Sequence, residues 1–217
     1  MTPDFDPSSD FQDVTDGLQL VTVATPGSSE VTEVPHALRR AVTAREAQRS
    51  AGRLTAADVA WHLPAAELPE PPEPGDLILE AGGRRWTVLE VQAATLRRRW
   101  RCLARDLAVA HRLDDTVDIQ QATYTKSSGG ADEPTWHTWK TGLRARIQPA
   151  LAEVKDQRLQ QITRSLFLIF LEEDLAVDHR HRVKGPDGTL YRVTGFRKAQ
   201  RIDAVMEIDA VRIDQTP

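Results

Sequence analysis

Thiols are almost missing from this chain. Cys102 is the one cysteine in 217 residues, which excludes an intrachain disulfide and any zinc site built from several cysteines. A basic excess is missing as well: the net charge is -4 and the pI is near 5.9, whereas a dedicated nucleic-acid binder carries surplus Lys and Arg for phosphate contacts. No apolar run approaches the ~20 residues that a membrane-spanning helix needs. The opening stretch, MTPDFDPSSD, is acidic where a secretory signal is basic and then apolar. These absences lead to the expectation of a reducing, soluble compartment, or a particle assembled there. Gly-x-Ser-x-Gly, Walker and dinucleotide fingerprints are also absent.

What is present is an ordinary globular composition, 40% hydrophobic and 28% charged, at a length suited to one domain or to two of about 100 residues. An internal repeat favours two. Sliding the sequence by 105 positions sets Leu38-Arg39 on Leu143-Arg144, Val42 on Ile147, and Arg53-Leu54 on Arg158-Leu159. The same shift sets Leu63 on Leu168, Ile78 on Val183, Gly83 on Gly188, Trp86 on Tyr191 and Val88 on Val193. Turn falls on turn and apolar residue on apolar residue, without a gap.

The clearest segment is Gln161 to Phe196. Leu166 to Leu171 (LFLIFL) reads as a strand buried on both faces. After a loop, His181-Arg182-Val183 and Thr189 to Val193 form a hairpin around Gly185-Pro186-Asp187-Gly188, in which Gly188 suits a φ > 0 position. Earlier in the chain, Leu18 to Ala24 alternates as a strand and ends at Pro26-Gly27. Ala37 to Val42 is compatible with a strand, and Ala44 to Ala51 (AREAQRSA) with a short helix. Thr55 to Leu63 reads as the counterpart of the buried strand, with Val59, Trp61 and Leu63 on one face.

The prolines of Pro64 to Pro74 exclude a ladder there and predict a stiff connector over the surface, or else a docking motif. Asp76 to Leu79 and Arg85 to Val91 form a hairpin about Ala81-Gly82-Gly83, and Arg98 to Leu107 closes the first unit. In the second, Val117 to Thr125 is a strand, Lys126 to Pro134 a flexible tip, Leu143 to Ile147 a strand, Ala150 to Gln160 polar and compatible with a helix, and Ile202 to Ile213 the closing strand. The expected fold is mainly β: an Asp/Ser/Pro-rich extended arm over 1–16, then two tandem small antiparallel barrels or sandwiches over 17–112 and 113–217, with long inter-strand loops.

Candidate chemistry is sparse. His179 and His181, two apart, share a strand face and make a metal pair with Asp174 or Asp178 nearby, but no third fixed ligand is evident, so a hydrated strand edge is the plainer reading. His36, His62, His111 and His137 are scattered singly. Cys102 and Trp100 share a face and read as core. In RRRWR, alternation sends Arg97, Arg99 and Arg101 one way and Arg98 and Trp100 the other, a solvated or interface face in preference to a DNA-stacking platform. No enzymatic role, metal or cofactor is expected.

The order of elements resembles the small β-barrel head-closure and head-to-tail joining proteins of long-tailed bacteriophages. The second unit carries the resemblance through Trp136, Trp139, Thr141-Gly142-Leu143-Arg144-Ala145-Arg146-Ile147, Ser165 to Leu171, and Leu190-Tyr191-Arg192-Val193-Thr194-Gly195-Phe196. The first matches more loosely through Val34, Leu38 to Val42, Asp58 to Leu63 and Trp86 to Val91. The usual member is a single barrel, so the duplication is a departure. The resemblance implies a virion neck protein that forms a ring of six or twelve copies. A portal or adaptor would lie above it, a tail terminator or tail-tube protein below it, and packaged DNA in its channel.

Such a protein would reside in the host cytoplasm before assembly. A tail terminator or tail-tube adaptor of the same particle is the alternative, and a metal-dependent β-sandwich hydrolase using His179, His181 and Asp178 a more distant one. By position the family's long loop between the second and third strands falls on Ala44, Arg45, Gln48, Arg49 and Arg53 in the first unit. In the second unit it falls on Ala150, Glu153, Lys155 and Gln157. The tip residues Lys126 and Asp132, with Trp136 beside them, are further expected contacts.

Overall fold

The computed structural model describes residues 16–68, 70–94, 98–126, 129–150, 153–157, 160–164 and 166–213, with the backbone alone for 153–157 and 160–164. The chain divides into two compact units, Met1–Ala110 and His111–Pro217. Each contains one closed, six-stranded antiparallel barrel. The expected arm over 1–16 lies outside the described residues except for Asp16.

In the first unit the strands are β1 (Leu18–Ala24), β2 (Val31–Ala41), β3 (Val59–Pro64), β4 (Leu77–Glu80), β5 (Arg85–Ala94) and β6 (Arg99–Arg105), with helices α1 (Ala44–Arg49) and α2 (Leu107–Ala110). They close in the order β1-β2-β3-β6-β5-β4. Closure buries one face per strand, so each strand needs apolar residues at alternate positions. Val21 and Val23 of β1, Trp61 and Leu63 of β3, and Ile78 of β4 supply them. Small residues on β6, Cys102 and Ala104, leave room for Trp61 and Trp86, whose rings meet edge to face at 6.4 Å. Pro35 sits where β2 carries an extra residue against Gln19 to Val21 of β1, a bulge that tolerates a missing amide donor.

The second unit repeats this topology. Its strands are β7 (Asp115–Lys126), β8 (Asp132–Pro149), β11 (Leu166–Leu171), β12 (His181–Lys184), β13 (Leu190–Arg197) and β14 (Met206–Ile213). They close as β11-β14-β13-β12-β7-β8. Between β8 and β11 lies a separate two-stranded hairpin, β9 (Glu153–Gln157) with β10 (Gln160–Arg164). The core is aliphatic, around Ile119, Ile169, Leu171, Val183 and Ile208, with Phe167 and Tyr191 edge to face at 5.1 Å.

The 105-residue shift holds across the hairpin. Ile78 pairs Trp86 as Val183 pairs Tyr191, and Gly83 and Gly188 both have positive φ. The ladders to the last strand break at matching places, after Val88 and after Val193. The shift fails at the strands before it. Arg39 pairs Trp61 where Ile147 pairs Ile169, a shift of 108, so the counterpart of Leu63 is Leu171 and not Leu168. The cause is the proline connector, which puts fourteen residues between Leu63 and Ile78 against eleven between Leu171 and Val183.

Other expectations are corrected. Leu166 to Leu171 is not buried on both faces: Ile169 and Leu171 are buried and Phe167 packs on the core, while Leu166, Leu168 and Phe170 are half-exposed on the outside of a one-layer wall. Ala150 to Gln160 does not form a helix but leads into the β9–β10 hairpin, where Val154 and Ile162 bring β propensity. The expected tip at Lys126 to Pro134 is shorter than that range: β7 and β8 pair out to Lys126 and Asp132, so Asp132 to Pro134 are strand, while 129–131 are turn and irregular backbone. The proline connector is no mere surface strap. Pro64 pairs Arg99 in the ladder, Leu68 is in the core, and Trp100 Nε1 donates to the Leu68 carbonyl at 2.8 Å.

Candidate assembly surfaces

The connection from β2 to β3 in the first unit begins with a capping box. The Thr43 hydroxyl accepts from the Glu46 amide at 3.2 Å, and the Glu46 carboxylate accepts from the Thr43 amide at 2.9 Å. Donation to this carboxylate from the Thr43 amide and from the Thr43 hydroxyl at 2.8 Å, with the nearby Arg101 guanidinium, holds the Glu46 carboxyl below its ordinary range. Arg101 also ties α1 to the barrel, with NH2 2.6 Å from Glu46 Oε1. Ala47 and Leu54 pack on outward-facing Val42, Ala60 and Leu103. The helix therefore has one face on the barrel. Ala44, Arg45, Gln48 and Arg49 occupy the other and are exposed, as is Arg53.

The end of this connection is pinned by Asp58, whose side chain is 1% exposed. Arg105 donates through Nε to Oδ1 and through NH2 to Oδ2, both at 2.8 Å, and the Thr55 amide donates to Oδ2 at 2.7 Å. Arg105 NH2 also reaches the Arg53 carbonyl at 2.9 Å. The anchors Thr43, Asp58 and Arg105 were not among the expected contacts. The Thr-x-x-Glu spacing before a helix-forming run was a readable signal for the first of them.

In the second unit the same topological connection holds the β9–β10 hairpin. Ala150 starts it, and its amide donates to the Leu166 carbonyl at 2.8 Å. Glu153, Lys155 and Gln157 occupy alternate positions of β9, opposite Arg164, Ile162 and Gln160 of β10.

The third surface is a ribbon. β12 pairs with β7 only as far as Gln121, and β11 pairs with β8 only from Ala145 onward, so the rows from Ala122↔Trp136 to Lys126↔Asp132 extend past both neighbours. Lys126 and Asp132 are exposed cross-strand partners at the tip, and Tyr124 is 49% exposed. Trp136 is only half-exposed, because the Arg182 guanidinium covers its ring at 4.2 Å, and burial draws Arg182 below its usual pKa. The Trp139 ring lies tilted against the His181 ring, with centroids 5.1 Å apart.

The metal pair is not assembled. His179 lies in a turn, and His181 opens β12, where it is buried with Nδ1 2.8 Å from Asp178 Oδ1. Hydrogen bonds from Arg180 hold the Asp178 carboxyl well below the usual carboxylate range. Among the described residues no three His, Cys, Asp or Glu side chains converge as a metal site would require. Arg99 also departs from the solvated face expected of RRRWR: it is 5% exposed, and burial lowers its pKa while the Glu67 charge opposes that. Cys102 is core as expected, and burial pushes its thiol up to about 12.

No family model and no curated protein matches the chain. Among solved structures it is similar to a chain from the virion of native gene transfer agent (GTA) particle, at 10% identity and a TM-score of 0.36, over 45% of this chain and 93% of that one. At that level the likeness assigns neither a fold nor a role.

Proposed function

We propose that this chain is a structural protein of a phage-like virion, placed as a ring between portal and tail, where it closes the DNA-filled head and joins it to the tail. The observation that carries the reading is the duplicated barrel. Two six-stranded barrels of one topology each insert an extra element, α1 or the β9–β10 hairpin, at the same connection. In the first unit that element turns Ala44, Arg45, Gln48 and Arg49 outward. The barrels supply rigid walls, and the inserts supply surfaces that vary between the two copies. The second unit also holds the residues of the neck-protein resemblance in one barrel, from Trp136 through Ile147 on β8 to Tyr191 and Phe196 on β13.

Six copies of a two-barrel chain would hold twelve similar barrels in six chains, reconciling a twelvefold portal with a sixfold tail. The ring's contacts would be head-to-tail, as a closed cyclic assembly requires. Electron microscopy of the intact particle tests this. Six copies between portal and tail are expected. Twelve copies would refute the stoichiometry, and density at the far end of the tail tube would refute the neck position. A lysate lacking the chain should contain heads and tails that fail to join.

A further inference from the structure

Both barrels are closed, so their walls offer no strand edge to a partner. The β7–β8 ribbon and the β9–β10 hairpin are different. Among the described residues, the outer edges of β7 beyond Ala122, of β8 from Asp132 to Leu143, and of β9 and β10 have no strand beside them. A lone two-stranded ribbon is marginal in water, and an unpaired edge is a template for another strand.

The two edges match in three ways. Each ribbon has five paired rows, Ala122↔Trp136 to Lys126↔Asp132 in one and Gln160↔Gln157 to Arg164↔Glu153 in the other. Their charges oppose: 122–136 holds Lys126 against Asp132 and Glu133, for -1, and 153–164 holds Lys155, Arg158 and Arg164 against Glu153 and Asp156, for +1. They also leave the barrel at opposite ends of one strand, since β8 carries the first at its start and runs into the second at its end. A pair of complementary edges so placed joins copy to copy in one direction, which is a heterologous contact. Pairing ribbon with ribbon would set like charges together.

We propose that copies of this chain assemble by strand addition, the β7–β8 ribbon of one copy pairing along its edge with the β9–β10 hairpin of the next. This rests on the ring reading above and names the surface that closes the ring. Two variants test it: one joins Ala122 to Trp136 by Asn-Gly, removing the ribbon, and the other joins Ala150 to Leu166 by Asn-Gly, removing the hairpin. In sedimentation the native chain is expected as an oligomer and each variant as a monomer. Their equimolar mixture is expected as a one-to-one dimer and nothing longer, because it holds one intact ribbon and one intact hairpin.

A ribbonless or hairpinless variant that associates like the native chain overturns the proposal. So does a native chain still monomeric at about 1 mM, where even a millimolar contact is half occupied. Should a shortened chain lose its β circular dichroism, Tyr124→Pro and Thr163→Pro carry the same test by blocking the outer edges of β7 and β10. A chain that assembles as described but is absent from the particle neck refutes only the ring's location. One found in the neck whose variants still assemble refutes only this pairing.

Discussion

Asp58 holds the α1 connection to the first barrel, and replacing it by alanine exposes how much that anchor contributes. The substitution leaves Arg105, whose side chain is 13% exposed, without its bidentate partner, and leaves the Thr55 amide without its acceptor. Breaking a buried pair from one side typically costs about 3–5 kcal/mol. In a unit of about 100 residues, where 1 kcal/mol moves the melting point by roughly 4–8 °C, this lowers the melting point of the first unit by roughly 15 °C or more. Tryptophan fluorescence reads that unit well, because Trp61 and Trp86 are fully buried there while Trp136 and Trp139 of the second unit are partly exposed. The double variant Asp58→Leu with Arg105→Leu removes both charges together and is expected to recover most of the loss. A single-variant cost below about 1 kcal/mol, or a double variant worse than the single, would show that the carboxylate is not the anchor described.

Cys102 should resist iodoacetamide at neutral pH in the folded chain and react on unfolding, because burial keeps the thiol protonated up to about 12; labelling of the native protein would contradict its core position. His62 is held below its ordinary pKa of about 6.5, first by burial and then by Arg101, Arg40 and Arg99. The unfolded state therefore binds the proton more readily, so stability is expected to fall as pH drops through about 6.5, and urea titrations of His62→Gln should show that slope flattened. Met206→Ala in the second core should cost about 2–5 kcal/mol, since Met206 is fully buried among Ile169, Leu171 and Ile208 and its sulfur accepts from the Leu175 amide at 3.2 Å. Gly188→Ala should cost about 1–2 kcal/mol in chemical denaturation from the +84° φ alone, as open space surrounds the new methyl group.

Much of the fold was legible because barrel strands obey local rules. Alternation marks β1 over Leu18–Ala24 without error, and Gly83 and Gly188 mark their hairpins because only glycine takes that backbone cheaply. The helix after β2 was legible from AREAQRSA and from the Thr43 to Glu46 spacing. Less of the candidate surfaces could be read. Polar strands carry no period-two apolar signal, so the run after Pro149 looked as much like a helix as the hairpin it is, and Asp132 to Pro134 looked like part of a loop until their partner strand was known.

The sequence by itself determined that there are two mainly β units of one design, since period-two burial and positive-φ glycines are properties of neighbours along the chain. Only the tertiary structure decided which strands close each barrel, that the proline connector shifts the repeat register by three residues, and that Asp58 meets Arg105. It also decided where strand pairing stops and leaves an edge open. Those facts depend on contacts between residues far apart in the chain, which closure of the barrel selects and local pattern does not encode.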